Sequence, residues 1–160
     1  MDTPKPIKRS QALISLSREH HDGLLLVYKI RQGIKLTIEP ERIACYCAWF
    51  WKHHLEQHFD NEERVLGPYL DNLGALKDQL FREHSQIRQA MQELNNAPKY
   101  PNLENFGQLL NDHIRFEERV LFNEIERSVT PDQLEEIASK LGEEDKAIPI
   151  WEDEFWIHKK

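Results

Sequence analysis

Residues 58–66 read HFDNEERVL and residues 113–121 read HIRFEERVL, so one short chain carries a His-x-x-x-Glu element twice. A second pair repeats as well, LSREH at 16–20 and LFREH at 80–84. In chain order these supply His20, His58 with Glu62, His84, and His113 with Glu117. Four residues advance an α-helix by about 400° and about 6 Å, so each element offers an imidazole and a carboxylate from one helix face. Glu63 and Glu118 sit roughly 100° further round. They are expected to point away, as solvated groups or as supports for a ligand.

The rest of the chain is patterned for helices. Gly and Pro gather between long periodic stretches and β-branched alternation is almost absent, which predicts an all-α fold. Helix A is expected over Ser10 to Lys35, with Leu13, Leu16, His20, Leu24 and Val27 inward. Helix B is expected after Pro40, with Trp49, Phe50, His54, His58, Glu62 and Val65 or Leu66 inward, ending between Gly67 and Leu73 near Pro68. Helix C is expected over Ala75 to Asn95, with Leu80, His84, Ile87, Met91 and Leu94 in step. Helix D is expected over Leu103 to Arg127 with Asn102 as its N-cap, carrying Phe106, Leu109 or Leu110, His113, Glu117, Val120 and Ile125. Thr130, Pro131 and Gln133 then predict a short fifth helix stopped by Gly142. Short connections between long amphipathic helices favour an antiparallel up-down-up-down four-helix bundle. The expected division is a flexible N-terminus over 1–9, the bundle with its short helix over 10–142, and a C-terminal tail over 143–160. That tail holds Trp151, Phe155 and Trp156, and is expected to dock on the bundle or to mediate an oligomer contact.

Composition narrows the function. A formal charge of −7 and a pI near 5.6 leave no basic footprint for nucleic acid and disfavour anionic membranes. No apolar run spans a bilayer and MDTPKPIKRS lacks an apolar signal core, so a cytoplasmic protein with a small-molecule or protein partner is expected. Cys45 and Cys47 are read as two partly buried thiols, poorly spaced to bond each other.

Burying imidazoles and carboxylates on apolar helix faces costs several kcal/mol each unless they are paired or coordinated. All four predicted helices repeat that cost, and the repetition points to metal. The ligands are nitrogen and oxygen without sulfur, which suits iron, manganese or zinc. One glutamate from helix B and one from helix D can each bridge two cations, so a dinuclear centre is expected. His54 and His21 are candidates for a further ligand or a supporting group. His53 and His158 read as surface or tail groups, and Glu19 and Glu83 as solvated helix residues.

With its HF-x-x-EE and H-x-x-x-EE elements, this order of residues resembles the haemerythrin-like (HHE cation-binding) family over about residues 10–127. The resemblance implies a four-helix bundle holding two non-haem iron ions. His20, His58, His84 and His113 would be terminal ligands, and Glu62 and Glu117 bridges. It also implies binding or sensing of dioxygen, or a response to nitric oxide or iron status; zinc or manganese could replace iron on purification. Classical oxygen-carrying haemerythrins have a second histidine one turn along the third helix, where this chain has Arg88. They also place an aspartate five residues after the last histidine, where this chain has Glu117 at four and Glu118 at five. The likeness is therefore to the bacterial-type and regulatory branch. Two other functions compete: a di-iron oxidase, peroxidase or iron-handling enzyme, against which stands the absence of Glu-x-x-His, and a metal-regulated interaction module.

Overall fold

The computed structural model describes residues 9–141 and 148–158, and among them every regular element is a helix. Four long helices form a helical bundle. Helix α1 (Ile14–Lys35) starts later than its pattern suggests, because the Ser10 amide donates to the Glu126 carboxylate and the chain enters through a turn. Its buried face runs Leu16, His20, Gly23, Leu26, Val27, Ile30 and Gly33. Leu24, expected inward, is 37 % exposed. Gly23 takes that place because a Cβ there would lie 2.8 Å from Ile114 Cδ1 on the opposing helix, so the Ile114 side chain packs directly on the α1 backbone.

Helix α2 begins as Pro40–Phe50, widens into a π turn at Trp51–Leu55, regains α geometry over Glu56–Asn61 and widens again at Glu62–Leu66. A 3-10 segment, Gly67–Leu73, leads into α3 (Gly74–Asn96). Helix α4 runs as Tyr100–Phe116, a π turn at Glu117–Leu121 and Phe122–Ser128. It starts earlier than expected. Pro101 occupies the first turn, where its missing N–H costs nothing, and Asn102 is no N-cap: its amide donates back to the Ala97 carbonyl at 2.8 Å. Thr130 and Gln133 exchange reciprocal hydrogen bonds at the start of α5 (Pro131–Leu141), which packs Ile137 and Leu141 inward. Gly142 lies outside the described residues, as do 1–8, 143–147 and 159–160.

Late in α4 the inward positions differ from those expected. Val120, expected inward, is 42 % exposed while Leu121 and Phe122 fill the core. Cys45 is exposed, not partly buried, whereas Cys47 is enclosed and burial pushes its thiol up.

Apolar residues form two clusters. One combines Leu13 and Leu16 at the start of α1, Val65 and Leu66 late in α2, Leu80 early in α3 and Leu121, Phe122 and Ile125 late in α4, together with Ile137 of α5. The other combines Leu26 and Ile30, Ile43 and Phe50, Ile87 and Leu94, and Leu103, Phe106 and Leu110. Along each helix the repeated His and Glu positions lie where one cluster gives way to the other.

The tail is part of the second cluster. Trp151, Phe155 and Trp156 surround Tyr46 with ring centroids 5.4, 5.7 and 5.3 Å away. Lys29 donates to Tyr46 Oη and lies 4.1 Å from the Trp156 ring centroid. Among the described residues no helix is long and apolar enough to cross a membrane. Phe155→Ala removes a ring that is 2 % exposed and is expected to lower the unfolding free energy by about 3 kcal/mol, read from a urea titration followed by circular dichroism. An unchanged midpoint would show that the tail does not stabilise the fold.

Candidate metal centre

His20 of α1, His58 and Glu62 of α2, His84 of α3, and His113 and Glu117 of α4 meet in one buried layer between the apolar clusters. Helical periodicity brings them there. His58 and Glu62 are four residues apart, their Nε2 and Oε1 atoms 3.1 Å apart, and His113 with Glu117 repeats the arrangement at closer contact. His84 Nε2 lies 3.2 Å from Glu62 Oε1 and 3.9 Å from Glu117 Oε1. His20 Nε2 lies 3.6 Å from Glu117 Oε2 and 3.9 Å from Glu62 Oε2.

These atoms sort into two overlapping groups: His20, His58, Glu62 and Glu117, and Glu62, His84, His113 and Glu117. Within each group the ligand atoms lie within 4.8 Å of one another. Both glutamates belong to both groups, so each carboxylate can face two cations. Among the described residues, His20, His58 and His113 Nε2, Glu62 Oε2 and both Glu117 oxygens are buried without a hydrogen-bond partner. Leaving so many polar atoms unpaired costs several kcal/mol; coordination by cations removes that cost. The donor set fits divalent first-row ions that accept nitrogen and oxygen.

The opposite ring nitrogens are all held. His20 Nδ1–H donates to Glu118 at 2.7 Å, His58 to Glu19 at 2.6 Å, His84 to Glu63 at 2.8 Å and His113 to Glu83 at 2.8 Å. An ionised carboxylate only accepts, so each imidazole carries a proton on Nδ1 and directs Nε2 inward, where loss of any second proton frees a lone pair for a cation. Glu19 and Glu83 are therefore not simply solvated. Glu63 and Glu118 do not point away either, because 100° round a bundle helix leads to the seam with its neighbour. The repeated Arg-Glu-His triplet in LSREH and LFREH repeats the supporting carboxylate along with the ligand, and that was the available signal. Arg9 had none. Its side chain, only 6 % exposed, binds Glu118, Asn123 and Glu126 and so ties residue 9 to α4. Arg88 pairs with Glu63 at 2.7 Å.

Neither candidate for a further ligand joins the groups. His21 is exposed. His54 is half-buried, its ring stacked 4.4 Å from Phe50, and the π turn at Trp51–Leu55 rotates it off the face of His58. His53 is half-buried against Trp49 rather than fully at the surface, and His158 is exposed.

Burial works against a charged His58, but Glu62 and Glu19 outweigh it and raise the imidazole to about 10. Burial likewise opposes ionisation of Glu62, yet His58 and His84 hold it well below the usual carboxylate range. His84 is raised by Glu62 and Glu63 against its burial, while burial prevails at His113 and lowers it. A coordinating imidazole must shed its Nε2 proton. Zinc added to the protein at pH 7 is therefore expected to displace protons, and its apparent affinity to rise as pH increases towards 10. Calorimetry in buffers of different ionisation enthalpy checks this, and a buffer-independent heat would contradict it.

A family model, the Hemerythrin HHE cation binding domain, matches residues 12–125. No curated protein and no solved structure matches the chain significantly.

Proposed function

The chain belongs to the hemerythrin HHE cation binding family, and on that premise we propose that it holds two iron ions and binds or senses a diatomic molecule, dioxygen or nitric oxide. His20 and His58 hold one ion, His84 and His113 the other, and Glu62 and Glu117 span both. The membership of both glutamates in both ligand groups carries this reading. When bound, the iron pair supplies electrons and an open coordination position. The protein does the remainder. Its four supporting carboxylates fix the imidazoles, and the two apolar clusters exclude bulk water from the layer.

The size of the adjoining space supports a very small ligand. A cavity of about 10 Å³ lies beside His20, His58 and His113, walled by Gly23, Leu55, Phe59, Leu110 and Ile114. That is room for about one water-sized molecule and too little for an organic substrate. Arg88 has no lone pair to offer a metal, so the helix carrying His84 contributes one ligand, unlike the two of a classical oxygen carrier. The same donors accept zinc or manganese. The bundle is inferred to be up-down-up-down, because each apolar cluster joins the start of one helix to the end of the next.

Protein loaded anaerobically with ferrous iron is expected to hold about two ions per chain, and its visible absorption to change on admitting air. A count near one, or a spectrum indifferent to air, would overturn the proposal. Glu117→Ala is expected to cut retained iron to about one per chain or fewer, because it removes a donor from both groups.

A further inference from the structure

The four carboxylates that hold the histidines are not equally held themselves. Glu63 accepts from Arg88 at 2.7 Å as well as from His84. Glu83 accepts from Gln79 at 2.8 Å as well as from His113. Glu118 accepts from Arg9 at 3.2 Å as well as from His20, and the same guanidinium also grips the Glu118 carbonyl, Asn123 and Glu126. Glu19 has no such second hold: among the described residues its one hydrogen-bond partner is His58. Its side chain is 44 % exposed, against 21 % for Glu63 and Glu83 and 27 % for Glu118.

This weak corner opens on the layer. Glu19 borders the small cavity that reaches His20, His58 and His113, so a side chain in contact with solvent also lines the space beside the ligand atoms. Asp22 and Glu19 both lie near enough to half-buried His54 to act on its charge, so this side of the bundle carries anionic groups. Freeing His58 requires the displacement of one carboxylate that water can rehydrate. Freeing His84 or His113 requires a carboxylate to give up a second, independent hold, and the same is true of His20.

We propose that Glu19 is the gate of the centre: the divalent cation at His20 and His58 exchanges with solvent through the Glu19 corner, while the cation at His84 and His113 is locked. The inference rests on the two-cation reading above. Glu19 acts here as a positioning residue for His58, not as a ligand.

The full chain loaded with zinc and mixed with excess colorimetric zinc chelator tests this without any redox chemistry. Zinc is expected to leave in two phases of equal amplitude. Glu19→Ala is expected to accelerate the fast phase about 10-fold or more, in line with the loss of a group that orients a ligand, and to leave the slow phase unchanged. Glu19→Gln keeps an acceptor for His58 Nδ1–H and is expected to stay within about 2-fold of the native rate. Arg88→Ala, which frees Glu63, is expected to accelerate the slow phase alone. Two zinc ions leaving in one phase, or Glu19→Ala changing both phases alike or neither, would overturn the gate while leaving the two-cation reading intact. A zinc content near one per chain would remove that reading, and the gate with it.

Discussion

Two carboxylates with no exposed surface, Glu62 and Glu117, stand at the centre of this protein. An isolated ionised carboxylate in an apolar interior is costly enough to be neutralised instead. Here neutralisation is opposed, since His58 and His84 hold Glu62 ionised. The surrounding architecture follows from keeping these charges buried. Apolar clusters seal the layer on both sides, and each helix interrupts its own hydrophobic stripe to bring a histidine to it. Such a layer weakens the core unless something positively charged completes it, so a cation held there would stabilise the fold.

The supporting carboxylates close a ring around this layer. Helix α1 gives Glu19 to His58 of α2, α2 gives Glu63 to His84 of α3, α3 gives Glu83 to His113 of α4, and α4 returns Glu118 to His20 of α1. Each helix thus supplies one imidazole to the centre and one carboxylate that fixes the imidazole of the next. Position and tautomer of every histidine depend on a helix other than its own. The duplicated motifs acquire a second meaning from this: Glu-His on α1 and α3, and Glu-Glu on α2 and α4, pair a group for the layer with a group for the neighbour.

The facing positions were readable because 3.6-residue periodicity and internal duplication are properties of single helices. Leu16, Leu80, Phe106 and the six clustered His and Glu positions follow directly from them. What was not readable depends on partners distant in sequence. Leu24 yields to Gly23 because Ile114 comes from α4. Glu19 and Glu83 turn to histidines 39 and 30 residues away. Arg9 reaches α4 across more than a hundred residues. His54 departs from its expected face for another reason, since a helical wheel assumes a constant advance per residue and the π turn at Trp51–Leu55 breaks it.

Those π turns sharpen what the repeat is for. The pentapeptide EERVL forms one at Glu62–Leu66 and another at Glu117–Leu121, in different surroundings. Val65 is buried in the apolar cluster, with α5 packed against this turn, while Val120 is 42 % exposed. Packing of the valine therefore does not dictate the turn. What the two copies share is a first glutamate in the layer and a second bonded to the histidine of an adjacent helix. Wide turns of this kind are rare and concentrate at functional sites. The shared geometry of the two copies thus tracks the paired carboxylates, and the duplication in the chain is a duplication of the device that sends one glutamate into the layer and the next to the Nδ1 side of a histidine on a neighbouring helix.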